Sequence, residues 1–92
     1  METMEAYESK VDTQLKHWAA SLEQLIARAE KAGAEAKADL HGQIEELKTR
    51  QHVAQTRLAA LTAAGHDKWE ILKAGVDSAC SELEAAFKLL AA

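Results

Sequence analysis

Apolar residues recur at steps of three and four along the first two thirds of the chain. This spacing places them on one side of an α-helix. The pattern predicts a single long helix from about residue 5 to residue 62. With Gln51 as a polar member, the series is Tyr7, Val11, Leu15, Trp18, Leu22, Leu25, Ala29, Ala32, Ala36, Leu40, Ile44, Leu47, Gln51, Ala54, Leu58 and Leu61.

A turn and a second amphipathic helix follow. Gly65 suits the left-handed position after a helix end, and Asp67 with Glu70 has the spacing of a capping box. We therefore predict a turn at residues 63–66 and a second helix from about 67 to 90. The apolar series of this helix is Trp69, Leu72, Val76, Ala79, Leu83, Ala86 and Leu90.

The two apolar series fit an antiparallel helical hairpin with coiled-coil packing. In that register Leu61 lies opposite Trp69, and Leu58 lies opposite Leu72. The distribution of charge also favours this antiparallel pairing. Residues 47–64 contain three basic and no acidic side chains, whereas residues 67–92 contain five acidic side chains and three lysines. The hairpin leaves the apolar series of residues 7–32 without a partner, and a band of this size is not left in water.

Two arrangements would cover the band. In the first, helix 1 is continuous and two chains run antiparallel, so that each end of a homodimer is a three-helix cross-section; there Leu15 lies by Leu58 of the other chain. In the second, the chain breaks within residues 33–42 and forms a monomeric three-helix bundle. Such structures are related by domain swapping. The helix-forming segment 34–38 favours the continuous helix. The predicted dimer interface is Tyr7, Val11, Leu15, Trp18, Leu22, Leu25, Ala29, Ala36, Leu47, Leu58, Leu61, Trp69 and Leu72.

Composition supports one all-α domain over residues 1–92. The 92 residues include no proline and a single cysteine, which excludes an internal disulfide framework. The net charge of −4 gives no indication of nucleic-acid binding. Because no apolar run reaches the length of a signal sequence or a membrane span, we expect a cytoplasmic protein.

Few residues suggest chemistry. His41 and Glu45 lie one helical turn apart, and His52 could join them only from another chain, so they do not make a metal site. Cys80 has acidic rather than basic neighbours, which favours a small, partly buried apolar side chain over a reactive thiol. The two tryptophans fit the hydrophobic core. We predict no catalytic residue, no cofactor and no enzyme activity.

Four segments resemble, in order, those of small bacterial coiled-coil proteins of unknown function: Tyr7–Lys10, Gln14–Trp18, Gln43–Lys48 and Asp67–Val76. The resemblance spans residues 7–88 and implies long cytoplasmic helices without an established activity. A weaker similarity to apolipoprotein-like and phasin-like helices rests on the spacing of the apolar residues.

These observations favour a non-enzymatic helical scaffold that self-associates and could also bind another protein. An alternative is an amphipathic protein that binds lipid or granule surfaces, against which the acidic N-terminal half argues. A third is a protein that binds metal weakly through histidines of two chains.

Overall fold

The protein is an all-α bundle of three helices, seen in a computed structural model that describes residues 3–91. The helices are α1 (Met4–Glu30), α2 (Ala34–Ala64) and α3 (Trp69–Ala91). They run up, down and up, and the bundle measures 51 × 21 × 16 Å. Helix α2 packs against both neighbours, whereas α1 and α3 are joined mainly by side chains.

The predicted continuous helix over residues 5–62 is wrong for this chain, because the helix ends at Glu30 and a new one begins at Ala34. The amides of Lys31 and Ala32 donate to carbonyls three residues back, which tightens and closes α1. Gly33 is extended and its carbonyl accepts from the amide of Lys37, which begins α2. The break lies at the N-terminal edge of the region predicted for the three-helix alternative.

The chain reversal at Lys31–Gly33 lets the apolar series of α1 be buried within one chain. The apolar series of α1 packs on the hairpin of its own chain and shares a single core with α2 and α3. Each large apolar side chain removed from water stabilises the bundle by about 1.5 to 3 kcal/mol. The buried apolar residues are Tyr7, Val11, Leu15, Leu22, Leu25, Ala29, Ile44, Leu47, Ala54, Leu61, Val76, Ala79 and Leu83.

The hairpin of α2 and α3 has the predicted antiparallel sense. Arg57 donates to the carbonyl of Gly75, and Arg50 lies 3.8 Å from Glu82. Seven residues separate these contacts on each helix, in opposite directions along the chain. Gly65 joins the helices and its φ of 74° is positive, as predicted, but its ψ of −167° is extended and not left-handed helical. The predicted helix start at Asp67 is wrong by two residues, since α3 begins at Trp69 and Leu72 donates to the carbonyl of Lys68.

Gly42 lies inside α2 and is expected to lower the stability of the bundle. A Cβ at this position would contact nothing within 4 Å. Because glycine costs about 0.5 to 1 kcal/mol relative to alanine in a helix interior, Gly42→Ala should raise the free energy of unfolding by that amount. Urea unfolding measures the effect, and Ala38→Gly in the same exposed stretch should have the opposite sign. A loss of stability in Gly42→Ala would show that the helix is interrupted there.

Candidate interaction surface

The residues predicted to form a dimer interface lie mostly inside one chain. Seven positions of the apolar series of α1, from Tyr7 to Ala29, are buried or pack against the core, as are Leu47, Leu58, Leu61, Trp69 and Leu72. Ala36 is exposed. The predicted neighbours are nevertheless found together: Leu15 and Leu58 line one groove between α1 and α2, and Gln51 donates to the carbonyl of Leu15 at 3.3 Å. One chain can therefore satisfy contacts predicted between two. The swapped dimer stays a prediction, and it would need α1 and α2 to join through residues 31–33, where the helix is broken in this structure.

Both tryptophans pack against the core, as predicted. The ring of Trp18 stacks on Phe87 with centroids 6.5 Å apart, and the ring of Trp69 lies 6.1 Å from that of Tyr7. The hydroxyl of Tyr7 donates to the carboxylate of Asp77. These contacts bridge α1 and α3, so the aromatic side chains hold the third side of the bundle together.

Among the side chains of residues 3–90, two large apolar ones remain in solvent, both on α3. Ile71 is 76% exposed and Leu89 is 80% exposed. They lie about five helical turns apart at 3.6 residues per turn, and so point in the same direction. Between them on this side of α3 are Gly75, Ser78, Glu82 and Ala85, of which only Glu82 is charged.

This side of α3 continues onto α2. A groove of about 360 Å³ lies between the two helices, and Glu46, Arg50, Ala85 and Leu89 are among its lining residues. We call the whole surface the outer hairpin face. It is formed by Gln43, Glu46, Arg50, Val53, Arg57 and Ala60 of α2 and by Ile71, Gly75, Ser78, Glu82, Ala85 and Leu89 of α3.

Helix α1 does not cover the outer hairpin face. It packs against the opposite side of the hairpin, where it contacts Gln51 and Leu58 of α2 and Asp77 and Phe87 of α3. The outer hairpin face is therefore open along its length in a single chain.

The charged groups of the outer hairpin face are arranged in pairs. Arg50 donates through Nε and Nη2 to Oε1 of Glu46, at 3.2 and 2.9 Å, and also approaches Glu82. Because both bonds use Oε1, the second oxygen of Glu46 can accept from another cation. Arg57 donates through Nη1 to the carbonyl of Gly75 at 2.9 Å, and its other guanidinium nitrogens are not used in this contact.

The metal candidates of the sequence do not come together. His41 and Glu45 line one shallow groove in the company of Lys37 and Lys48, while His52 lines another. Over residues 3–91 no group of three histidine, cysteine, aspartate or glutamate side chains could hold a metal ion.

Cys80 is partly buried beside the core, where the sequence places it. Burial raises the pKa of its thiol, and the negative charge of Asp77 adds to the effect.

Since the thiolate is the reactive form, we expect iodoacetamide to modify Cys80 more slowly at pH 8 in the folded protein than in urea. The same shift means that folding stability falls as the pH rises through the usual range of a thiol and beyond, because the unfolded chain releases this proton more readily. Equal rates of modification in the two states would contradict the burial.

The exposure of Ile71 and Leu89 was not predicted. Each is followed by an apolar residue that packs inward, Leu72 and Leu90. Helical periodicity identifies the inward member of each pair, and the outward member then looks like an incidental surface residue. One feature of the sequence does indicate the outer hairpin face: Ile71 and Leu89 are separated by a whole number of helical turns and therefore lie on the same side of α3.

Comparison of the chain with protein-family models, with curated proteins and with solved structures gives no match. Among the helices of residues 3–91, none combines the length and the apolar character needed to cross a lipid bilayer.

Proposed function

We propose that this chain is a non-enzymatic helical module whose activity is self-association through the outer hairpin face. The observation that carries the proposal is the exposure of Ile71 and Leu89 in line on one side of α3. Single exposed apolar residues are common on protein surfaces. Two large ones aligned on one helix, about 27 Å apart at 1.5 Å per residue, and a partly exposed valine on the neighbouring helix supply apolar area that association would remove from water.

The residues between Ile71 and Leu89 suit close contact with another helix. Ala85 has a small side chain, which lets a second helix approach, whereas Gly75 is covered by Arg57, whose Cδ lies 3.9 Å from where a Cβ would be. The flanking isoleucine and leucine supply the apolar area. In a symmetric dimer each copy contributes both large side chains. Four such side chains would then be buried, each worth up to about 1.5 to 3 kcal/mol when fully removed from water.

The other functions suggested by the sequence require further steps. Binding to a lipid or granule surface would use the apolar series of α1, whose members are in the core, so α1 would first have to leave the bundle. Metal binding would need histidines from two chains. Self-association of the folded bundle requires no rearrangement of the helices.

Light scattering coupled to size exclusion tests the proposal across a concentration series. We expect the wild-type mass to rise from near 10.0 kDa towards twice that value. Leu89→Lys should remain near 10.0 kDa with the same helical content, because it places a charge in the contact. Ala20→Lys, at an exposed position of α1, is the matched control and should behave like the wild type. A wild type that stays at 10.0 kDa at every concentration would contradict the proposal, as would unchanged association of Leu89→Lys.

A further inference from the structure

We infer that the second copy binds the outer hairpin face about a two-fold axis that passes α3 near residue 80, with α3 antiparallel to the partner's α3. The inference rests on the proposed function and specifies the occupant of the face and its register. It follows from the order of side chains on the two helices.

The pattern on α3 is complementary to itself in this register. Ile71 lies opposite the partner subunit's Leu89, and Gly75 lies opposite the partner subunit's Ala85. The two large apolar pairs are at the ends of the contact, and the two pairs of Gly75 with Ala85 are between them. Ser78 lies opposite the partner subunit's Glu82, whose carboxylate can accept a hydrogen bond from the serine hydroxyl. A two-fold interface requires this kind of self-complementarity.

The pattern on α2 gives the matching charges. Around a centre between Arg50 and Val53, Glu46 lies opposite the partner subunit's Arg57. The second oxygen of Glu46 and the other guanidinium nitrogens of Arg57 are not used in the hydrogen bonds that these residues make within one chain. The two-fold axis therefore places Glu46 opposite the partner subunit's Arg57, and symmetry repeats this ion pair once.

The two helices agree on the position of the axis. The contacts of Arg50 with Glu82 and of Arg57 with Gly75 place residue 52 of α2 level with residue 80 of α3. The centre of the α2 pattern, midway between residues 50 and 53, differs from this level by about 1 Å at 1.5 Å per residue. One rotation therefore satisfies both helices at once.

The charges near the axis also balance. Arg50 and Glu82, which lie 3.8 Å apart, are both close to the axis, so the dimer has two acids and two bases there. The two-fold axis brings the two copies of Arg50 near each other, and likewise the two copies of Glu82. Each arginine is neutralised by the Glu82 of its own chain, so the centre of the contact has no net charge.

The size of the face suits a dimer. Helix α3 has 23 residues and is about 35 Å long. Two adjacent helices are about 20 Å wide, so the face covers roughly 700 Å² on each copy. The total of roughly 1,400 Å² is within the range of specific protein interfaces, about 1,200 to 2,000 Å².

Disulfide cross-linking between two variants tests the register. In a Cys80→Ala background, a chain with Ser78→Cys is mixed with a chain with Glu82→Cys, oxidised mildly, and analysed by mass spectrometry, which separates the three possible dimers. Disulfides need Cα atoms within about 7 Å. We expect the mixed disulfide to exceed its statistical half of the products, because positions 78 and 82 are opposite each other.

The outcomes separate the register from the association itself. If the two symmetric disulfides dominate in a sample that light scattering shows to be dimeric, the helices pair in parallel and the inference is overturned, while the proposed function stands. If a dimer forms no disulfide at all, the contact is elsewhere and the inference is also overturned. A chain that is monomeric by light scattering overturns both the inference and the proposed function.

Charge reversal tests the register through different residues. Arg57→Glu should weaken dimerisation by about two- to tenfold, since two acid pairs replace two exposed ion pairs. Adding Glu46→Lys to the same chain restores opposite charges and should recover most of the loss. Equal affinity of all three proteins, or further weakening in the double variant, would overturn the pairing of Glu46 with Arg57.

Discussion

Replacing Leu83 by alanine is expected to lower the free energy of unfolding by about 2 to 5 kcal/mol. Leu83 is fully buried in α3, and it is one of the largest side chains in the core without solvent contact. The substitution removes apolar contacts and leaves a cavity that neighbouring helices close only in part, so the cost exceeds that of transferring the lost atoms to water. Urea unfolding followed by circular dichroism measures the loss.

Leu89→Ala is the matched control for this prediction. It changes the same residue type on the same helix, but Leu89 is 80% exposed. At concentrations where the protein is monomeric, its effect should stay within about 0.5 kcal/mol. Similar losses in Leu83→Ala and Leu89→Ala would mean that α3 is rotated relative to the core. Leu58 and Leu72, which the sequence predicts to lie opposite each other in the hairpin, are only partly buried, so their alanine variants should lose less than Leu83→Ala.

Replacing Gly65 by valine should lower stability by about 1 to 3 kcal/mol. Gly65 has a φ of 74° and a ψ of −167°, a region that is essentially restricted to glycine. Space is not the obstacle, because a Cβ there would meet nothing within 4 Å. The cost comes from the backbone conformation, which a β-branched residue can adopt only under strain. Thermal unfolding at a fixed protein concentration measures the effect.

Gly33→Ala provides the contrast. Gly33 also lies between two helices and also has open space around it, but its φ is −66°. Alanine adopts this conformation without strain, so the variant should be as stable as the wild type or slightly more stable. Equal destabilisation by Gly65→Val and Gly33→Ala would show that the two connections are not distinguished by their backbone conformation.

The sequence predicts the hairpin well because its determinants are local. Periodicity identifies the inward residues of α2 and α3, Gly65 marks the connection, and the fit of Leu61 to Trp69 and of Leu58 to Leu72 indicates the register. The spacing of Asp67 and Glu70 is that of a capping box, and it predicts a helix start near residue 67. The helix begins two residues later because residues 65–68 complete the turn.

The break between α1 and α2 is harder to predict from sequence. The segment 34–38 has high helix propensity. It is helical whether helix 1 continues through it or a new helix begins there, so its propensity does not distinguish the two arrangements. The apolar series does not decide either, because Leu15 is predicted beside Leu58 in the dimer and lines a groove with Leu58 in the single chain. The energies that distinguish them arise at three residues, where Lys31 and Ala32 close one helix and Gly33 caps the next.

The outer hairpin face shows a second limit of periodicity. Where two apolar residues are adjacent, as at Ile71 and Leu72, helical spacing assigns the better-fitting member to the core and gives no role to the other. Only the three-dimensional arrangement shows that Ile71 and Leu89 share a surface with Arg57 and Glu46 of the neighbouring helix. The predicted dimer and the proposed one therefore use different residues, although both are antiparallel.

The most direct test of this account is an isotope-filtered nuclear Overhauser experiment on a mixture of labelled and unlabelled chains, which detects only contacts between different molecules. We expect contacts between the methyl groups of Ile71 and Leu89 to appear in the filtered spectrum, while contacts between Leu15 and Leu58 are seen only within a chain. Contacts of Leu15 with Leu58 between molecules would instead show that α1 is exchanged between two chains. The absence of any contact between molecules at millimolar concentration would contradict self-association through the outer hairpin face.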